Sequence, residues 1–139
     1  MNKKIELFIT LIFVFMFVGT INVNAVSKEV TISKIGTSGF AFASSSNNAT
    51  KTTYSIPKIK ATAVSTALTD PCSSCILAVR TYETDESGWY ALGSTIKLNQ
   101  EKSFIGHDGS ASPGTYKLGA QRADFTILKT TATFYWTYD

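Results

Sequence analysis

Gly114-Thr-Tyr-Lys-Leu-Gly-Ala-Gln-Arg-Ala-Asp-Phe-Thr-Ile-Leu-Lys-Thr-Thr-Ala-Thr-Phe-Tyr-Trp-Thr-Tyr-Asp139 reads as two β-strands and their connection. In the first strand Tyr116, Leu118 and Ala120 alternate with Lys117, Gly119 and Gln121. In the second, Ala132, Phe134, Trp136 and Tyr138 alternate with Thr131, Thr133, Tyr135 and Thr137. A period of two, with β-branched and aromatic residues, marks antiparallel strands with one face buried and one facing water.

The chain upstream has the same character. Strands are expected at Lys28–Ile35, with Val30 and Ile32 on one face, and around Phe40 and Phe42, with Ala41 and Ala43 opposite. Ser44–Thr50 reads as a polar loop, and its Asn48-Ala49-Thr50 sequon as loop chemistry. A short strand at Thr52–Ile56 ends at Pro57, which cannot donate to a ladder. The next strand, Lys58–Leu68, places Ile59, Ala61 and Ala63 on one face and changes parity near Val64, the signature of a bulge. Ile76–Tyr82 is apolar on both faces, as a central strand should be. Trp89–Ser94 and Thr95–Leu98 form one strand or two, and Ser103–Gly106 is short.

No stretch of ten residues carries the i, i+3, i+4, i+7 spacing of an amphipathic helix. The expectation is therefore an all-β fold: an antiparallel two-sheet β-sandwich of about eight or nine strands, jelly-roll-like or immunoglobulin-like.

The amino-terminal segment belongs to targeting rather than to the fold. Lys3 and Lys4 precede a run of 12 residues without charge, Leu7–Val18, and Val23-Asn24-Ala25 fits the small-residue cleavage rule. The run is shorter than the roughly 20 apolar residues that span a bilayer. Residues 1–25 are read as a signal peptide and residues 26–139 as a single sandwich domain, secreted and released to the extracellular medium.

Removal of Lys3, Lys4 and Glu6 leaves 11 basic and 9 acidic residues in the mature chain. A net charge of +2 gives no strong electrostatic case for nucleic acid or an anionic membrane. Thirteen aromatic residues remain after cleavage, enough to build one sizeable core.

Two motifs invite chemistry. Cys72-Ser73-Ser74-Cys75 has redox-motif spacing, but a reactive thiol needs a helix amino terminus in a βαβ setting. Here the pair lies between two expected strands in an exported chain, so Cys72–Cys75 is read as a structural disulfide. His107-Asp108-Gly109-Ser110 holds the residue types of a hydrolase triad, but neighbours in a turn do not place histidine between serine and aspartate in space. His107 is the only histidine, and Asp85 and Glu86 read as a solvated turn. No catalytic, metal-binding or cofactor-binding set is expected.

The remaining lead is aromatic. Arg80 shares a face with Tyr82, Trp89 faces away from Tyr90 and Leu92, and Tyr135 lies among threonines. Arg80, Tyr82, Trp89 and Tyr135 are the candidate binding surface, because such side chains stack on sugar rings or anchor protein contacts.

The strand ending in Ser55-Ile56-Pro57-Lys58, the Gly88-Trp89 strand start, Pro113-Gly114-Thr115-Tyr116-Lys117-Leu118 and the aromatic last strand together resemble small secreted β-sandwich proteins of Gram-positive bacteria. Gly-Thr-Tyr-Lys-Leu is also similar to the penultimate strand of jelly-roll domains appended to secreted enzymes. The resemblance implies fold and compartment and carries no catalytic residue.

The expected function is non-enzymatic binding at the bacterial surface or in the medium, with a glycan, matrix or protein partner. The alternative is a secreted toxin or bacteriocin-like effector acting on membranes. A hydrolase stands third.

Overall fold

The structure, a computed structural model, describes residues 25–84, 89–92, 95–106 and 112–139, with the backbone alone at 89–92 and 106. The expected signal segment up to Asn24, the turn at Asp85–Gly88, and His107-Asp108-Gly109-Ser110 lie outside the described residues. Nine strands follow in order: β1 (Ser27–Ile35), β2 (Ala41–Phe42), β3 (Ala49–Lys51), β4 (Lys58–Thr66), β5 (Leu77–Glu83), β6 (Trp89–Leu92), β7 (Glu101–Gly106), β8 (Gly114–Arg122) and β9 (Thr130–Thr137). Among the described residues the one helical element is a 3-10 turn at Ser45–Asn47, and no helix is long and apolar enough to cross a membrane.

The fold is an all-β sandwich of two antiparallel four-stranded sheets. Hydrogen bonding runs in the order β1-β9-β4-β7-β6-β5-β8-β2, with β3 beside β2 on β8. The first sheet is β1-β9-β4-β7 and the second β6-β5-β8-β2. Strand β7 joins them: Glu101–Ser103 pair with Lys60–Lys58 of β4, while Phe104–Gly106 pair with Leu92–Tyr90 of β6. With β2 and β3 counted as one interrupted strand, the sheets read 1-8-3-6 and 5-4-7-2. That arrangement is the jelly roll, and it decides between the two expected topologies, since immunoglobulin sandwiches keep their early hairpins within one sheet.

The core lies between the sheets and follows the alternation of the strands. Strand β8 contributes Tyr116, Leu118 and Ala120; β9 contributes Ala132, Phe134 and Trp136; β5 contributes Leu77 and Val79. Val30, Ile32 and Ile35 of β1, Ile59, Ala61 and Val64 of β4, and Phe104 of β7 join it, with Ala49, Ile96 and the two cysteines at its margins. On β2 the alanines turn inward and the phenylalanines outward, with Phe42 43% exposed.

Three expectations are corrected. The strand placed at Thr52–Ile56 lies earlier, at Ala49–Lys51, and begins inside the segment read as loop. Its sequence is short and polar, yet Ala49 and Lys51 are buried. The Asp139 carboxylate accepts hydrogen bonds from the backbone and side chains of both Thr52 and Thr53, which takes those residues out of the ladder. On β4 the bulge falls at Thr62, two residues before the expected parity change, so Ala63 is exposed and Val64 is buried. That strand ends at Thr66 rather than Leu68. Thr95–Leu98 is not a strand: Ile96 makes one isolated bridge to Leu77.

Candidate functional site

Strands β5, β8 and β2 lie side by side, and their outward residues form a flat face on the second sheet. In register, Arg80 is opposite Gly119, Tyr82 is opposite Lys117, and Phe42 is opposite Gly119 from the other side. Gly119 has no side chain to occupy the centre of this face, and the Phe42 ring lies over it. A Cβ built on Gly119 would stand 2.7 Å from the ring, inside van der Waals contact.

The rings and cations then organise one another. Phe42 and Phe40 meet Tyr82 edge to face, at centroid distances of 5.4 and 6.4 Å. The Arg80 guanidinium stacks 4.8 Å above Phe40 and donates a hydrogen bond of 3.3 Å to the Tyr82 hydroxyl. The Lys117 ammonium lies 4.9 Å from the Phe42 centroid. Each cation–π contact at an exposed site contributes about 0.5–1 kcal/mol, so the cations are held over the rings rather than waving in solvent. Glu83, at the end of β5, accepts a hydrogen bond from the Tyr116 hydroxyl at 2.8 Å.

Arg80 and Tyr82, expected together, are together. Trp89 pairs with Tyr82 through the backbone ladder, and its side chain lies outside the described residues. Tyr135 does not join them. It is exposed, but on the outer face of β9, which belongs to the opposite sheet, with Lys60 and Glu29 as register partners. Parity placed Tyr135 on an outer face correctly; the sandwich has two such faces. Phe40, Phe42 and Lys117 are members that sequence reading missed. The available signal was Gly119, an outward-facing glycine that must be covered by a ring from a neighbouring strand.

Cys72 and Cys75 form a disulfide across a Cα–Cα distance of 5.5 Å, in the β4–β5 loop. Both are buried, and the loop is tied to β4 by the Cys72 amide donating to the Val64 carbonyl. The Asp70–Pro71 peptide bond in this loop is cis. A shallow cleft of about 340 Å³ lies beside the disulfide, lined in part by Thr66, Thr69, Arg122 and Phe125. Its charged groups are engaged with each other. Arg122 donates to both oxygens of Asp124 and to the Thr130 hydroxyl. Hydrogen bonds from Arg122 hold the Asp124 carboxyl below its ordinary range. No general base is left poised there, and among the described residues no three His, Cys, Asp or Glu side chains are grouped to hold a metal.

No family model, curated protein or solved structure matches the chain.

Proposed function

We propose that this is an exported, non-enzymatic binding protein that engages an acidic glycan at the bacterial surface through the outer face of β2, β5 and β8. One observation carries the reading: two cations, Arg80 and Lys117, are stacked on a cluster of three aromatic rings around Tyr82. A flat, partly exposed ring offers a stacking platform for a sugar, at little cost in side-chain entropy. The adjacent guanidinium and ammonium supply donors for hydroxyls and for carboxylate or phosphate groups. Trp89 is the backbone register partner of Tyr82 on the neighbouring strand.

Binding to peptidoglycan, wall polymers and soluble acidic glycans tests the reading. Tyr82→Ala and Arg80→Ala should each weaken binding by about thirtyfold or more, the scale of a contact hot spot, with the fold intact. Tyr135→Ala, on the far sheet, should leave affinity unchanged. Normal binding by folded Tyr82→Ala and Trp89→Ala proteins would overturn the assignment of this face.

A further inference from the structure

The four connections β1–β2, β4–β5, β6–β7 and β8–β9 all emerge at the same end of the sandwich, because Ile35, Thr66, Leu77, Arg122 and Thr130 meet in register there. Three large apolar side chains stand out at this end. Phe125 is 110% exposed and Ile127 95%, both on the β8–β9 loop, and Leu68 on the β4–β5 loop is 79% exposed. Hydrophobic residues so fully in water, on a loop with a defined conformation, have not been left there by a lack of core to enter; nearby Leu128 is partly buried.

The β8–β9 loop has a rigid neck and an apolar head. Arg122 spans the neck: it binds Asp124 on one limb and the Thr130 hydroxyl where β9 begins. Backbone bonds fix the same neck to its neighbours, from Arg122 N–H to the Gly36 carbonyl and from Ala123 N–H to the Ile76 carbonyl, both 2.8 Å. The head satisfies amides of its own, Thr126 N–H to the Asp124 carbonyl at 3.0 Å and Leu128 N–H to the Thr126 hydroxyl at 3.3 Å. That lowers the cost of taking the loop out of water, because unpaired backbone groups are what excludes most loops from an apolar phase.

We propose that this end of the sandwich docks on an anionic lipid bilayer, with Phe125, Ile127 and Leu68 entering the boundary between headgroups and acyl chains. The patch is convex. A protein partner would need a matching pocket, whereas a bilayer opens around a projecting side chain. Charge agrees with the choice. Lys34, Lys97 and Lys129 lie on or beside these connections, against Asp70 and Glu101, once Asp124 is neutralised by Arg122. Cations at the rim are drawn to anionic headgroups while the apolar head inserts, the combination by which peripheral proteins hold to membranes. Phe40 of the aromatic face borders this end, sharing a shallow cleft with Lys34 and Lys129, but Phe125, Ile127 and Leu68 are not part of that face and the proposal does not depend on its assignment.

Co-sedimentation of the exported protein, collected from the culture medium, with vesicles of phosphatidylglycerol and phosphatidylcholine tests the proposal. Wild type should sediment with the mixed vesicles, and more weakly with phosphatidylcholine alone or in high salt, which screens surface charge. The double variant Phe125→Ser with Ile127→Ser should lose at least tenfold in partitioning, with an unchanged unfolding midpoint because neither side chain is buried. Lys129→Gln should weaken binding severalfold, and Tyr135→Ser should not alter it. Failure of wild type to sediment with the anionic vesicles overturns the proposal, as does full binding by the double variant. Self-association of wild type that the double variant abolishes, with no vesicle binding, would assign the tip to a second copy of the chain and equally overturn it.

Discussion

Trp136 is the largest side chain in the core, 1% exposed between the sheets, with Tyr138 tilted against it at 5.5 Å. Its replacement by alanine opens a cavity that the flanking strands cannot close, since β9 is paired on both sides, by β1 and β4. Trp136→Ala should therefore lower unfolding free energy by about 3–5 kcal/mol, as read from denaturant titration. Gly119 has the opposite character: the space it leaves is already filled. Gly119→Ala would push the Phe42 ring off the strand, a contact with the movable end of a side chain, and should cost only about 1 kcal/mol. The same change should disturb the aromatic face, detectable as altered near-ultraviolet dichroism and weaker glycan binding. A large loss of stability with binding intact would mean that Gly119 serves the fold and not the face.

Two elements owe their shape to specific bonds, one between segments distant in sequence and one across a short loop. The Asp139 carboxylate gathers the amides and hydroxyls of Thr52 and Thr53 and stands 3.8 Å from the buried Lys51 ammonium. Hydrogen bonds from the Thr52 and Thr53 side chains, more than the lysine, hold its carboxyl well below the ordinary 3.8. A lowered folded pKa means stabilisation that is fully present above the ordinary value and is lost as pH falls below it. Asp139→Asn should thus reduce stability at neutral pH and flatten the fall between about pH 4 and pH 2, measured by thermal unfolding across that range. The Cys72–Cys75 bond closes a loop too short to restrict the unfolded chain much, so Cys72→Ser with Cys75→Ser should cost about 2 kcal/mol or less. These cases mark what was legible. Alternation in β8 and β9 gave core and surface residue by residue, because a half-buried strand writes its two faces into the sequence. The β3 strand was displaced in the reading because the residues that follow it are held out of the ladder by Asp139, 87 residues from Thr52. On β4 a bulge at Thr62 and one at Val64 leave nearly the same pattern when the intervening residue is alanine, which suits either face.

At the scale of the molecule, Tyr82 and Tyr135 show what parity cannot carry. Both were offered for one candidate binding surface, but β5 and β9 lie in different sheets, so the two rings look in opposite directions. Strand order comes from long-range pairing, which leaves no mark at the level of a single strand. The apolar loop head was hidden for a related reason: Phe125 and Ile127 fall in the connection between two strands, and their exposure shows only once the neck made by Arg122 is seen. One long-range feature does coincide with a local signal. The ladder between the chain's first and last strands begins at Val26, which donates to the Asp139 carbonyl at 2.8 Å and accepts from the Tyr138 amide at 3.0 Å. The cleavage rule places the cut after Ala25, one residue outside that ladder. A cut there keeps the Val26 bonds to the last strand, so the new terminus stays beside it. The protein recovered from culture medium should therefore have the intact mass of residues 26–139 with two hydrogens removed by the Cys72–Cys75 bond. A product cut several residues later would lose the Val26 and Ser27 pairs and should be measurably less stable than one beginning at Val26. A cell-bound product that begins at Met1 would contradict both the signal peptide and the export on which the binding role rests.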